Sequence, residues 1–193
     1  MDKKLERRAY VADELRIDTE EGQALKIHGH AAVFDTLSED LGGFFERIAP
    51  AAFARTIQSG DVRALFNHNP DYVLGRNKAG TLKLTEDSKG LAIEIDPPDT
   101  QFARDLLVSM ARGDINQMSF GFRTLNDKWQ KVDGEWIRTL LEVELVDISP
   151  VTFPAYPQTD VAVRSLEVAQ AEERIANRWK LKLSKRRLSL LEL

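Results

Sequence analysis

Residues 115–125 read INQMSFGFRTL, and the fold turns on how this stretch is read. As a strand, its side chains alternate between two faces. Met118, Phe120 and Phe122 share one face, which belongs in a core, while Gln117, Ser119 and Gly121 share the other. The second face sets a hydroxyl beside a glycine, which leaves room for something to approach that hydroxyl. The plainer alternative is that Ser119 lines the polar side of a half-buried sheet.

A second long strand follows at 135–149, EWIRTLLEVELVDIS. Simple alternation places Val143, Leu145, Asp147 and Ser149 on one face, and Glu142, Glu144, Val146 and Ile148 on the other. Asp147 then stands among aliphatic side chains just before Pro150 begins to end the ladder. An acid there costs several kcal/mol unless it is paired or hydrogen-bonded. A histidine N–H would suit it, and a salt bridge to an arginine is the alternative.

Around this pair, segments rich in β-branched and aromatic residues recur between Gly, Asn, Asp and Pro. Strands are expected over 8–17, 22–34, 62–68, 81–86 and 90–96, the last two forming a hairpin across EDSKG. Helices are fewer. PAAFARTIQSG (50–60) opens on a tolerated proline and stops at glycine, and DTQFARDLLVSMARG (99–113) carries apolar residues at Phe102, Leu106, Leu107 and Met110. A third helix is expected from about Leu166 through Trp179, followed by WKLKLSKRRLSLLEL, which fits either a strand or a helix. Many strands, two embedded helices and no regular βαβ alternation predict an α+β fold, a mainly antiparallel and partly closed sheet with helices against it.

The chain has 193 residues, enough for one good core, with 42% hydrophobic and 30% charged residues. No run approaches the roughly 18–20 apolar residues of a membrane span. The opening MDKKLERRAYVADELR lacks the apolar stretch of a signal peptide. The absence of cysteine excludes disulfides, thiolate metal sites and a cysteine nucleophile, and fits a reducing compartment. A net charge of -4 gives no overall pull toward nucleic acid. That mean hides an asymmetry. From Arg174 onward seven basic residues face Glu192 alone, giving +6, whereas the first 173 residues carry 20 basic and 30 acidic groups, or -10. Residues 1–165 are expected to form one domain and 166–193 a helical, basic tail.

Three histidines invite inspection. His28 and His30 lie two apart on one strand face, half of a metal site at most, with no third ligand nearby; packing in a half-buried strand is the preferred reading. His68 closes VRALFNH, where Asn69 and Pro70 break the strand, a position at a loop mouth that suits a general base. Ser119, His68 and Asp147 together offer a nucleophile, a base and an orienting acid. A serine hydroxyl is a weak nucleophile until an imidazole takes its proton, and the acid holds that imidazole in the useful tautomer. There is no GxSxG elbow, so the α/β-hydrolase architecture is not expected.

The landmarks IHGHAAVFD, ERIAPAAFARTI, FNHNPDYVLG, LTEDSKGLAIEI, MSFGF and ELVDISPVTFPAYP occur in this order from about Lys26 to Val163. In these the chain resembles the prohead (capsid maturation) serine proteases of tailed phages. The resemblance implies the fold of the herpesvirus assembly proteases, a small β-barrel surrounded by helices. It implies catalytic roles for His68 in FNHNP and Ser119 in MSFGF, with Asp147 aligned to the third position. The family more often shows Glu there, so Glu144 and Glu142 stay open as alternatives. Oxyanion donors are open among backbone N–H groups near Ser119, the FPAYP turn and Arg123.

The resemblance further implies a serine endopeptidase that cleaves the major capsid protein, its scaffold region and itself, within the prohead in the host cytoplasm. It implies no cofactor or metal, no membrane and no nucleic-acid partner, and a possible homodimer. The basic tail fits a targeting or self-cleaved segment, or a solvated helix with a frayed end. A non-catalytic assembly factor that binds scaffold or capsid protein is the alternative function.

Overall fold

The two long strands form the spine of the molecule. β9 (Gln117–Val132) and β10 (Glu135–Val151) run antiparallel on either side of Asp133 and Gly134, both at positive φ. This is a two-residue turn whose backbone twist matches that of the strands it joins. The computed structural model describes residues 4–11, 15–18, 25–153 and 160–191. These fall into two compact units, one within residues 1–157 and one within 158–193.

In the first unit the remaining strands are β1 (Glu6–Val11), β2 (Arg16–Asp18), β3 (Lys26–Val33), β4 (Phe45–Ile48), β5 (Arg63–Phe66), β6 (Asn69–Arg76), β7 (Leu82–Glu86) and β8 (Gly90–Ile95). Its helices are α1 (Ala54–Ser59) and α2 (Gln101–Ala111). One sheet has the order β1-β9-β10-β5-β6, with β4 also on β10; the other has the order β2-β3-β8-β7. The fold is therefore mixed α+β and mostly strands, as expected. It departs from the expectation in its closure. The sheets are not closed into a barrel among the described residues, because β1 and β6 end one sheet and β2 and β7 the other. The pairing is mainly antiparallel, as expected, with β4 and β5 lying parallel to β10.

The gap between β4 and β5 along that edge of β10 would leave backbone groups unpaired, which a buried strand cannot tolerate. The segment around α1 fills it. Val143 N donates to Ala52 O at 3.0 Å, and the buried Thr56 hydroxyl donates to Val143 O at 2.9 Å while accepting from Leu145 N at 3.1 Å. The core joins both sheets. Met118, Phe120 and Phe122 pack with Ile27, Leu91, Ile93, Ile95 and with Leu106, Leu107 and Met110 of α2. Each such side chain contributes about 1.5–3 kcal/mol when fully buried. Thr100 is the N-cap of α2, its side chain accepting from Ala103 N.

Residues 8–17, expected as one strand, divide between β1 and β2 in different sheets, and β4 and β6 had no counterpart in the sequence reading. In the second unit, α3 (Asp160–Leu191) begins before Leu166 and continues helical through the ambiguous segment after Trp179. No described helix is long and apolar enough to cross a membrane.

A buried ion network ties β1, β4, β9 and β10 together. Arg138 bonds Glu6 (2.8 Å), Glu46 (3.0 Å), Asp127 (2.7 Å) and Thr124 (2.9 Å), and Arg8 bonds Glu46 at 2.7 Å and Glu6 at 3.1 Å. Burial alone would raise the Glu6 carboxyl, but the Arg138 and Arg8 guanidinium groups more than reverse this and hold it below its ordinary value. The network fastens the N-terminal strand to the Ser119-bearing strand, with Ala9 directly opposite Ser119.

Candidate active site

His68 sits in a turn, not at the mouth of an open loop. Phe66 and Asn69 pair across it, and both intervening residues are left-handed, Asn67 at φ 52 and His68 at φ 56. Asn67 suits that conformation; His68 adopts it against a steric cost of roughly 1–2 kcal/mol. Pro70 does not end the ladder: β6 starts at Asn69, and residues 70–72 bulge outward before Val73 pairs with Leu65.

The end of β10 holds this turn in place. Asn67 N donates to Pro150 O at 3.0 Å, Thr152 N donates to Asn67 Oδ1 at 2.9 Å, and Asn67 Nδ2 donates to Thr152 Oγ1 at 3.2 Å. His68 N donates to Ser149 Oγ at 3.2 Å. Backbone strain is kept at a site only when surrounding bonds over-determine it, and these four do so.

Asp147 reaches the same place through a β-bulge. Leu145 pairs with Phe122 and Asp147 with Gly121, so Val146 is an extra residue without a partner. The bulge reverses the phase of the strand. Val143, Leu145 and Ile148 all enter the core, while Asp147 and Ser149 turn to the opposite face beside Ser119. Asp147 therefore does not share a face with Val143 and Leu145, as uninterrupted alternation predicts.

The three sequence candidates converge. His68 Nε2 lies 2.7 Å from Ser119 Oγ, and His68 Nδ1 lies 2.5 Å from Asp147 Oδ1. The arrangement that satisfies both contacts has Nδ1–H donating to the carboxylate and Nε2 accepting from the serine hydroxyl. Such a chain lets the imidazole take the serine proton as oxygen attacks an electrophilic carbon, with the carboxylate steadying the resulting cation. The site is enclosed: Ser119 is 0% exposed and Asp147 5%. A substrate carbonyl reaches Ser119 Oγ only when this enclosure opens.

Glu142 and Glu144 are engaged elsewhere, pairing with Arg55 at 3.1 Å and Arg123 at 3.4 Å. Residues 154–157 of the FPAYP turn lie outside the described residues. His28 and His30 pair with Asp18 (3.2 Å) and Asp87 (2.9 Å). Among the described residues no group of three metal-binding side chains occurs.

Two residues escaped sequence reasoning. Ser149, fully buried, accepts from His68 N and donates to Asp147 Oδ1 at 3.3 Å, linking base and acid. The room expected beside the hydroxyl at Gly121 is taken by Asp147. A Cβ at Gly121 would stand 2.3 Å from Asp147 Oδ2. The cue available in the sequence was Asn67 between two strand-like runs, a signature of a two-residue hairpin turn.

The family model described as caudovirus prohead serine protease matches residues 13–174. Among solved structures, the bacteriophage T4 capsid assembly protease gp21 aligns with a TM-score of 0.49 and 10% identity, covering 80% of this chain and 100% of that one. No curated protein matches.

Proposed function

Because the chain belongs to the caudovirus prohead serine protease family, we propose that it is a serine endopeptidase acting through Ser119, His68 and Asp147. The observation that carries this reading is the continuous chain of contacts from Ser119 Oγ through the imidazole to Asp147, at 2.7 and 2.5 Å. Ser119 Oγ attacks the scissile carbonyl carbon while its proton passes to His68 Nε2. The tetrahedral intermediate collapses, the C–N bond breaks, and the imidazolium returns that proton to the departing amine. Water then repeats the sequence on the acyl-enzyme, releasing the carboxylate and restoring Ser119. Asp147 holds the Nδ1–H tautomer and steadies the imidazolium.

The substrates in this reading are the major capsid protein and its scaffold region, cut inside the prohead in the host cell, and the protease itself. The basic segment 166–193 serves as a targeting or self-cleaved tail; its +6 charge from Arg174 onward would give binding to an acidic scaffold a marked salt dependence. Kinship in fold with the herpesvirus assembly proteases belongs to the same proposal.

The test is co-expression of this chain, as wild type or Ser119→Ala, with the major capsid protein of its own phage, followed by intact mass of every species. Shortened capsid protein with wild type and full-length protein with Ser119→Ala is the expected result. Cleavage that persists in a folded Ser119→Ala protein refutes the mechanism. Intact capsid protein in both cases, with the chain still entering proheads, supports a non-catalytic assembly factor instead.

A further inference from the structure

Next to Ser119 on the same face of β9 stands a polar side chain outside the triad. Along β9 that face reads Gln117, Ser119, Gly121, opposite Val151, Ser149 and Asp147 of β10. Ser119, Ser149 and Asp147 are all hydrogen-bonded within the triad. Gln117 is not. Its Oε1 is buried and has no hydrogen-bond partner among the described residues. Both of its cross-strand partners are valines. A buried amide oxygen without a donor is costly and rarely kept unless something else uses it.

What would use it follows from spacing. Same-face residues of a strand are about 6.6 Å apart, the distance over which an extended peptide advances two residues. An extended peptide also turns a main-chain N–H to the same side at every second residue. A peptide that runs along β9 with its scissile carbonyl at Ser119 Oγ would bring an N–H toward Gln117. Oε1 and Ser119 are both out of solvent, so an opening that admits a peptide to the one also presents the other.

We propose that Gln117 is a substrate-positioning residue, whose Oε1 accepts a hydrogen bond from a main-chain N–H within two residues of the scissile bond. It thereby sets the register of the peptide on Ser119. The inference rests on the serine-peptidase reading above. It adds a recognition element that depends on the backbone of the substrate and not on its side chains.

The experiment uses the full chain and a synthetic peptide spanning the cut site found by mass. Companion depsipeptides replace each N–H within two residues of the scissile bond by an ester oxygen, one at a time. Serine reactivity is followed separately with a fluorophosphonate, which carries no peptide backbone. Gln117→Met, similar in length but without the amide, is expected to lower kcat/KM by about 10- to 100-fold, so the ratio of peptide cleavage to fluorophosphonate labelling falls. One depsipeptide is expected to cost the wild type that same factor and to cost Gln117→Met nothing further. Gln117→Glu, which keeps an acceptor, retains sensitivity to that depsipeptide and serves where the methionine variant does not fold.

The proposal is overturned if every depsipeptide costs wild type and Gln117→Met equally, or if Gln117→Glu loses the sensitivity that wild type shows. It is also overturned if labelling and cleavage fall together, because Gln117 would then be supporting the triad. Failure of the underlying reading looks different: the wild type would neither label at Ser119 nor cut the parent peptide.

Discussion

Replacing Gly121 by alanine adds one methyl group to the strand that carries Ser119, and a single distance fixes the outcome. On backbone grounds the change should help, since glycine in a strand interior is worth roughly 0.5–1 kcal/mol less than alanine. The new Cβ, however, would stand 2.3 Å from Asp147 Oδ2 and 3.3 Å from its Cγ. Ordinary contact begins near 3.4 Å, so the carboxylate must retreat by about 1 Å, a misplacement that can cost about 100-fold in rate. Asp147 Oδ1 is bonded to His68 Nδ1 and Ser149 Oγ, and that movement loosens both. Overpacking costs about 1–3 kcal/mol, or roughly 3–10 °C in Tm for a chain of this size. Cleavage should fall toward the level of Asp147→Asn, for which the Ser-His-Asp template gives about 10⁴-fold. The assays are the time course of capsid-protein conversion and thermal unfolding. Gly121→Ala in an Asp147→Asn background should add little further loss of activity, because the carboxylate that orients His68 is already gone. A Gly121→Ala protein as stable as wild type and within tenfold of its activity would refute the reasoning.

Three further outcomes are expected. Ser149→Ala leaves the His68 N–H without its acceptor, which should cost about 1–2 kcal/mol and slow cleavage by about 10- to 100-fold; wild-type kinetics would show that the turn is held by the Asn67 contacts alone. Arg138→Ala leaves Arg8 as the one remaining guanidinium on the buried Glu6 and Glu46, an undercompensated pair that should cost about 3–5 kcal/mol, read as a fall in Tm of roughly 10 °C or more; a fall under 2 °C would contradict the buried network. Lys26 at 2.6 Å and Lys83 at 3.0 Å hold the Glu94 carboxyl down from 4.5 to about 2. A carboxyl lowered on folding adds stability above its unfolded pKa and loses it as pH falls through the folded one. About 1 kcal/mol, reduced by solvent screening, should therefore be lost between pH 4.5 and pH 2. Glu94→Gln should flatten Tm in that window, and an unchanged pH slope would count against it.

What the sequence makes legible here is local and periodic. Met118, Phe120 and Phe122 declare a strand with one core face because their spacing of two allows little else. His68, Ser119 and Asp147 stand out because a histidine, a hydroxyl and an acid are rare beside such patterns. What escaped is non-local or carries no residue signature. The parallel pairing of β4 and β5 with β10 joins segments roughly 80–90 residues apart, and no short-range pattern records it. Pro70 reads as a strand breaker, yet β6 tolerates it because residues 70–72 bulge away from β5, so no ladder hydrogen bond is asked of it. The division of residues 8–17 between two sheets is likewise a tertiary choice.

The bulge at Val146 shows most clearly how fold and site are coupled. In an unbroken ladder Asp147 would follow the phase of Leu145 into the core, and Ile148 would face the serine. The extra residue lets Leu145 and Ile148, three apart in sequence, both point inward. That spacing violates a period of two, and is the trace the bulge leaves in the sequence. Burial of Ile148 thus helps aim the carboxylate, since core and site occupy opposite faces of one strand and cannot shift register independently. The same constraint favours an aspartate over a glutamate at this position. Asp147 stands directly across from Gly121, with its Oδ2 already filling the space a Cβ would need. One more methylene would push the carboxylate past the imidazole it has to hold.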